Sequence, residues 1–194
     1  INKLMKKNVW LVVAAAIILI GIWFFWGSYN KLVTKSEQVD NAWAQVETQY
    51  QRRYDLIPNL VSSVKGVLTQ EQTVFGELAR ARENYSGAKT VGEKVAATSE
   101  VEGALSRLLV IVEAYPDLKS NETVQTLMAQ LEGTENRVSV ERARFNEVIK
   151  DYNLSIKRFP TNILARMYGF FEKSYFESAP EAVNAPQVNL DLTK

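Results

Sequence analysis

An uncharged apolar segment near the N-terminus, Val9–Trp26, most constrains what this chain can fold into. As an α-helix rising about 1.5 Å per residue it spans about 27 Å, close to the roughly 30 Å of a bilayer's hydrocarbon core. Trp10 lies near one end and Trp23 near the other, as aromatic residues do at membrane interfaces. The sequence therefore predicts a transmembrane helix over residues 9–29. Its candidate anchor residues are Val9, Trp10, Ile17, Leu19, Trp23 and Trp26.

A cleaved signal peptide or a buried core helix would also be apolar. A signal peptide, however, has an apolar region of only about 7–15 residues and a small-residue cleavage site. The bulky Trp23–Trp26 end offers no such site. A buried core helix rarely continues for so long without a charge. The length and the lack of charge therefore favour a retained single-pass anchor over both.

Positive charge around the segment predicts its orientation. Three lysines lie within residues 1–8, whereas Lys31 and Lys35 are the nearest ones after it. Lysine and arginine are more frequent in cytoplasmic flanks. We therefore expect a short cytoplasmic N-terminus at residues 1–8 and a periplasmic or extracellular domain after the anchor. The corresponding location is the plasma (inner) membrane.

The composition excludes several kinds of chemistry. The chain has no cysteine and no histidine, so disulfides, thiol catalysis, the commonest general base and the commonest metal ligand are all absent. The net charge of +1 does not indicate a nucleic-acid partner. Glu135, Glu141 and Glu147 lack a Glu-x-x-His pattern and are predicted to lie on a helix face or in a seam. We therefore expect no catalytic residue, no cofactor and no metal site.

Apolar residues spaced by seven predict an all-α fold after the anchor. Two rows run from Tyr29 to about residue 84, which predicts one long helix with a coiled-coil-like seam. The rows stay in phase across Pro58, so we expect a kink there and not an end. Thr69-x-x-Gln72 matches a capping box, so a helix restart there is the alternative to continuity. The rows contain Leu32, Val39, Val46, Leu60 and Val67, with Arg53 in phase, and Trp43, Tyr50, Ile57 and Val64.

Three further helices are predicted from their caps and their ends. Thr90-x-x-Glu93 is a capping box at the start of the first, and Ser120 or Asn121 caps the second. A residue before proline avoids the helical conformation, which ends the first at Tyr115 and the second at Phe159. The helices cover about residues 92–114, 121–159 and 161–175 of a helical bundle domain at 30–177. Residues 178–194 are predicted to be extended or disordered.

Polar residues within the apolar rows are candidates for interhelical contacts. Arg53 lies in a row of the first bundle helix, and Glu135 and Arg142 interrupt one row of the 121–159 helix. Polar groups in a seam cost stability, so we expect them to pair and fix the register of the helices. The other row of that helix is apolar throughout, with Val124, Leu131, Val138, Phe145, Tyr152 and Phe159.

A second candidate surface is a binding notch beside Pro58. It would combine Arg52, Arg53 and Asp55. The simpler interpretation is that Arg52 and Asp55, three residues apart, form an ordinary pair on a helix surface.

Two further segments have both a functional and a structural interpretation. Tyr115 and Asp117 could belong to a recognition loop, but a connector between helices is the favoured interpretation. A cluster of aromatic residues could contact lipid or a partner, or could pack over the end of the bundle; its members are Tyr168, Phe170, Phe171, Tyr175 and Phe176.

The unequal lengths of the predicted helices predict self-association. They would rise about 80, 35 and 60 Å. An antiparallel bundle would then leave part of an apolar seam uncovered, and such a surface requires a partner. We therefore expect a homo-oligomer.

Several ordered motifs extend from the anchor to about Phe176. They include Ala42-Trp43-Ala44, Arg52-Arg53-x-Asp-Leu-Ile-Pro-Asn-Leu-Val61, Glu113-Ala-Tyr-Pro-Asp-Leu-Lys119 and Tyr152-Asn153. With these motifs the chain resembles the LemA family of bacterial membrane proteins. It departs from the family pattern at Thr69–Thr73, where a His-Glu-like pair is expected, so a role that needs that histidine does not transfer.

The resemblance implies an N-terminal membrane helix, an all-helical extracytoplasmic domain and no established activity. Some relatives are associated with the shaping of internal membranes. Our main hypothesis is a non-enzymatic, self-associating membrane scaffold at the cell envelope. The alternative is an adaptor or sensor for another envelope protein, such as a membrane protease or transporter. An enzyme that uses carboxylates alone is the least supported, because no acid–base pair stands at a defined spacing.

Overall fold

A computed structural model describes the backbone of residues 2–68 and 71–176 and the side chains from residue 10 onward. This part of the chain is helical and contains no strand, which confirms the all-α prediction. The predicted tail at 178–194 lies outside it. The helices are α1 (Asn2–Val64), α2 (Gln72–Gly87), α3 (Val91–Ala114), α4 (Pro116–Lys119), α5 (Glu122–Lys157) and α6 (Thr161–Met167).

Helix α1 joins the apolar segment to the bundle without a break and passes through Pro58. It is the one helix among the described residues that is long and apolar enough to cross a membrane. Its most apolar stretch buries none of its residues against the rest of the protein. Beyond Tyr29 both predicted rows turn inward, and their members from Leu32 to Val64 are buried.

The predicted continuation of the first helix to residue 84 is wrong. Helix α1 ends at Val64, whose carbonyl accepts hydrogen bonds from the amides of Val67 and Leu68 in a tight turn. Helix α2 then reverses direction and packs against α3. If α1 had continued straight to residue 84, the apolar residues of α2 would have had no helix to pack against. Packing against α3 therefore outweighs the weak tendency of the sequence to continue the helix. The buried residues of α2 are Leu78, Ala81 and Tyr85.

The alternative of a restart near Thr69-x-x-Gln72 is correct, but not its capping box. The N-cap residue of α2 is Glu71, and its side chain makes no capping hydrogen bond. Gln72 is therefore the first residue of the helix and not the third, which the predicted capping box would require.

The caps of α3 and α5 form as predicted. Thr90 Oγ1 accepts a hydrogen bond from the Glu93 amide at 3.2 Å, and the Glu93 carboxylate accepts one from the Thr90 amide at 3.2 Å. Asn121 Oδ1 accepts from the amides of Thr123 and Val124. The short helix α4 between them was not predicted.

Helix α5 runs antiparallel to α1. Lys35 Nζ donates to the Asp151 carbonyl near the anchor, and higher up the rings of Trp43 and Phe145 lie 5.5 Å apart. The apolar row of α5 is buried as far as Tyr152. Its last predicted member, Phe159, is instead 80% exposed, because α5 ends at Lys157 and the chain turns away.

The predicted 161–175 helix is also shorter than expected, since α6 ends at Met167. Gly169 adopts a φ of 75°, which suits glycine and ends the helix. Residues 170–176 are extended and lie along α5, and we call them the strap. Asn153 exchanges two hydrogen bonds with the backbone of Lys173, at 2.8 and 3.0 Å. Asn146 does the same with Phe176, at 2.9 and 2.7 Å.

The strap covers the lower part of the seam that helix lengths alone would leave open. Helix α3 begins only at the height where Lys94 pairs with Glu47. Below that height the strap bridges α5 and α1, with Lys173 Nζ donating to Asp40 of α1 at 2.7 Å. The chain therefore covers this region itself, and the overhang expected from the sequence no longer requires a second molecule.

Candidate functional site: a charge network between three helices

Four charged side chains meet in the centre of the bundle. Arg53 comes from α1, Glu102 from α3, and Glu135 and Arg142 from α5. Arg53 forms an ion pair with Glu135, and Arg142 forms one with Glu102. Arg53 Nη1 also lies 3.9 Å from Glu102 Oε1. Two acids and two bases thus link three helices, and their formal charges cancel.

The network is shielded from solvent at Arg53 and exposed to solvent at Glu135. The side chain of Arg53 is 8% exposed, whereas that of Glu135 is 45% exposed. Burial lowers the pKa of Arg53, and the nearby Glu102 carboxylate opposes this shift. An arginine so deeply placed requires its acidic partners, since an unpaired buried charge is strongly unfavourable.

Three tyrosines extend the network into the core. Arg142 Nε donates to the Tyr50 hydroxyl at 2.5 Å, and its guanidinium lies 5.2 Å from the centre of the same ring. Tyr50 stacks on Tyr54 with ring centres 5.7 Å apart, and Tyr54 meets Tyr85 edge to face at 4.6 Å. Burial raises the pKa of Tyr50 and of Tyr54 above the ordinary value of 10.0, which favours the neutral phenols that the ring contacts require.

A groove of about 540 Å³ lies beside the network, between α3 and α5. Arg53 and Glu135 form its polar wall, and Leu109, Val112 and Met128 belong to its apolar lining. Arg53 Nε is buried and has no hydrogen-bond partner among the described residues. The apolar lining suits a small apolar group next to the Arg53–Glu135 pair, and the free N–H of Arg53 suits a hydrogen-bond acceptor.

The geometry of the network suits structural pairing better than a reaction. Each carboxylate of the network faces a guanidinium. Within residues 2–68 and 71–176, no group of three or more acidic, histidine or cysteine side chains could hold a metal ion. Alternating charges at one level of three helices oppose any sliding of one helix along another. We therefore predict that the network fixes the register of the three helices, and we call this predicted role the register lock.

The structure brings Arg53, Glu135 and Arg142 together, the three residues that interrupt apolar rows. The predicted notch does not combine all three of its residues, because Arg53 points into the core. Arg52 and Asp55 are exposed and line a separate groove of about 690 Å³ between α1 and α5. Nor do Arg52 and Asp55 pair, since Asp55 Oδ1 instead accepts a hydrogen bond from Gln51 Nε2 at 2.8 Å.

The remaining predicted site residues lie apart from the network. Pro58 is on the exposed side of α1. Tyr115 and Asp117 are exposed in the connector between α3 and α5, where the Tyr115 carbonyl accepts from the amides of Leu118 and Lys119. Among the anchor residues, Val9 lies in α1. Trp10, Ile17, Leu19, Trp23 and Trp26 are all exposed.

Sequence reasoning missed Glu102, which contacts both arginines. The signal was present, because Val95, Glu102 and Leu109 recur at a spacing of seven on α3. Val95 and Leu109 pack against the core, as members of a seam should. The rule that identified Arg53 and Arg142 would have identified this acid too. The role of Tyr50 carried no such signal, since a buried tyrosine in an apolar row resembles any other core residue.

The fold and the network define a helical-bundle protein with an N-terminal apolar helix and a charge-locked core. The family model described as the LemA family matches residues 42–190. The chain belongs to the LemA family. The whole network of Arg53, Glu102, Glu135 and Arg142 lies within the matched region.

Magnetosome proteins are among the relatives. The chain is 28% identical over 178 residues to magnetosome proteins MamQ 1 and MamQ 2 of Paramagnetospirillum magneticum, covering 78% of this chain and 65% of each relative. It is 26% identical over 193 residues to magnetosome protein MamQ of Magnetospirillum gryphiswaldense, covering 84% of this chain and 71% of that protein. The chain thus spans just under two thirds of the length of the first two.

Proposed function

We propose that the protein is a non-enzymatic, single-pass membrane scaffold of the bacterial cell envelope. The observation that carries this proposal is the continuity of α1. One helix contains both an apolar segment exposed on all sides and a buried seam of the bundle. The segment would anchor the protein, and the bundle would project from the membrane as a direct extension of the anchor. The charge network supports a structural role, because its groups neutralise one another.

The proposed orientation places the N-terminus in the cytoplasm and the bundle outside the plasma membrane. The lack of cysteine makes this testable, because one introduced thiol can be labelled alone. Val110 is exposed on α3, far from the apolar segment in the sequence. A Val110→Cys variant should react with a membrane-impermeant maleimide in intact cells whose outer barrier is permeable to the reagent. Labelling only after disruption of the plasma membrane would reverse the orientation.

We also propose that the scaffold self-associates through its anchor. Ala14, Gly21 and Ser28 recur at a spacing of seven and so form a stripe of small residues on one side of α1. In the described part of the chain, no neighbouring side chain lies within 4 Å of the position that a Cβ on Gly21 would take. Such stripes allow transmembrane helices to approach closely and pack. We therefore place the expected self-association in the membrane and not in the bundle, because the strap covers the seam of the bundle.

A matched pair of glycine substitutions tests this proposal. Gly21→Ile blocks the stripe, whereas Gly27→Ile makes the same change about 120° away around the helix. Native mass spectrometry in mild detergent should show oligomers for the wild type and the Gly27 variant, and mainly monomers for the Gly21 variant. A wild type that is strictly monomeric in detergent and in cross-linked membranes would refute self-association.

A role in organising or shaping membrane follows as part of the same proposal. The named relatives are magnetosome proteins, and a membrane-anchored scaffold that clusters would suit an envelope structure. Expression of the wild type and of the Gly21→Ile variant, followed by electron cryotomography, would compare their effects on membrane shape. Identical membranes in both strains and in a deletion strain would argue against this part.

The groove beside Arg53 supports an alternative function, an adaptor or sensor for another envelope protein such as a membrane protease or transporter. Its lining combines apolar groups with a charged pair, as a peptide-binding site would. Met128→Trp should fill the groove, and Val140→Trp adds the same ring at an exposed site of α5 outside the groove lining. Affinity capture should lose a partner only with the Met128 variant. A partner retained by both variants would not use the groove.

A further inference from the structure

The corner between α5 and α6 exposes a concentration of large apolar side chains. In most of the bundle such residues are buried, but here the chain leaves several of them open on and around one short helix. We call this group the foot surface. It consists of Phe159, Ile163, Met167, Tyr168 and Phe171, which are 80%, 50%, 67%, 56% and 75% exposed. An exposed apolar group of this size normally has a partner.

The foot surface lies beside the apolar segment of α1. The ring of Tyr168 is 4.8 Å from that of Tyr29, centre to centre, at the end of the segment. Tyr168 also lines a groove of about 570 Å³ together with Ile18, Ile22 and Phe25 of the segment. Tyr168 therefore lies beside residues within the proposed membrane span and not only at its end. If α1 crosses a membrane, the foot surface lies at the boundary between lipid and water.

The charges around the foot surface fit lipid headgroups. Arg158 and Arg166 flank the exposed apolar side chains, and both are themselves exposed. Neither forms an ion pair with another residue in the described part of the chain, although the neighbouring Lys157 pairs with Glu172. Exposed basic groups next to apolar and aromatic ones characterise helices that lie in a membrane interface, where the basic groups meet anionic lipids.

We propose that the foot surface inserts into the interfacial zone of the leaflet from which α1 emerges. It gives the protein a second membrane contact and fixes the tilt and rotation of the bundle. The proposal rests on the proposed membrane anchor, because the span sets the height of the foot surface. A bilayer is the occupant favoured by the structure, since the foot surface continues the apolar surface of the span directly and carries the matching charge.

The test uses the full-length chain in nanodiscs that contain anionic lipid and one protein each. An environment-sensitive fluorophore is attached to a single cysteine introduced as Met167→Cys. Val110→Cys is the matched control, because both native side chains are 67% exposed and differ in their distance from the span. Ile17→Cys reports on the anchor itself. Lipids with a spin label at the headgroup or along the acyl chain then quench any fluorophore in contact with them.

The Met167 label should emit at shorter wavelength than the Val110 label and be quenched several-fold more by the spin-labelled lipids. Iodide in the aqueous phase should instead quench the Val110 label more than the Met167 label. If the Ile17 label is quenched by lipid while the Met167 label behaves like the Val110 label, the second contact is refuted and the anchor stands. If the Ile17 label is not quenched by lipid, the anchor itself fails. A Met167 label that is shielded from iodide but not quenched by lipid would show a protein partner, which overturns the proposal.

Discussion

The lower and upper parts of α1 are both rich in apolar residues but face different surroundings. Between Trp10 and Trp26 apolar residues occupy every side of the helix, and nearly all of them are exposed. Between Leu32 and Val64 they are concentrated on one side of the helix, and the two predicted rows on that side are buried against the bundle. The arrangement of apolar residues, more than their number, thus decides whether a stretch of helix contacts lipid or protein.

The two parts also differ in their tolerance of charge. The lower part contains none, because a lone charge in a bilayer costs several kcal/mol. The upper part contains the deeply buried Arg53, whose charge is matched by Glu102 and Glu135 on two other helices. A bundle can supply partners at fixed positions, whereas lipid tails cannot. The comparison between the two parts can be tested by making the same change in each.

The largest effect is expected for Ile57→Ala in the upper part of α1. Ile57 is 1% exposed, and removing its side chain leaves a cavity in the core. Such truncations cost about 2–5 kcal/mol of unfolding free energy. The same change at Ile17, which is 64% exposed on the lower part, should leave bundle stability unchanged. Chemical denaturation in detergent, followed by circular dichroism, compares the two variants. Equal losses would mean that the lower part also packs against protein.

The second-largest effect on stability is expected when the charge of Arg53 in the upper part of α1 is removed. Arg53→Met should lower the unfolding free energy by about 2 kcal/mol, because it leaves Glu135 and part of the Glu102 charge unpaired. This is less than the 3–5 kcal/mol typical of fully buried pairs, since Glu135 is half exposed. Arg52→Met is the matched control on the exposed side and should change little. The register lock would be refuted if Arg53→Met were as stable as Arg52→Met.

These two parts also show how much of the fold the sequence predicts. The heptad rows of α1 and α5 predict the buried faces correctly, and the Thr90 and Asn121 caps predict two helix starts. Polar residues in those rows predict three members of the charge network. All of these signals are local, because they depend on residues within a few turns of one helix.

What the sequence did not predict depends on contacts between distant residues. The local signals after Val64, Gly66 and the Thr69-x-x-Gln72 pattern, are too weak to decide between continuation and a restart. The packing of α2 against α3 decides in favour of the restart. The extended strap arises because Asn146 and Asn153 bind its backbone, and asparagine has no unique pattern in a helix. Phe159 fitted its row in phase but fell beyond the end of α5.

A third prediction concerns the strap, which closes the bundle just above the lower part of α1. Asn153→Ala removes two hydrogen bonds to Lys173 and should cost about 1–2 kcal/mol. Hydrogen exchange at residues 170–176 should accelerate more than elsewhere. Asn136→Ala, at an exposed position of the same helix, is the control and should alter neither quantity. Unchanged exchange in the Asn153 variant would show that the strap is held by other contacts.

The smallest effect is expected at the start of α3, far from the membrane segment in sequence and dependent on local bonds alone. Thr90→Ala removes the side-chain half of the capping box and should cost about 1 kcal/mol, whereas Thr90→Ser keeps the hydroxyl and should cost less.

The backbone amides of Lys89 and Thr90 hold the pKa of Glu93 below its ordinary value of 4.5. Since the folded state favours the ionised carboxylate, this contribution to stability is present above pH 4.5 and is lost as the pH falls through the lowered pKa. We therefore expect the melting temperature of Glu93→Gln to fall less than that of the wild type between about pH 7 and about pH 3. Equal falls in the two proteins would mean that the capping bonds do not favour the ionised carboxylate.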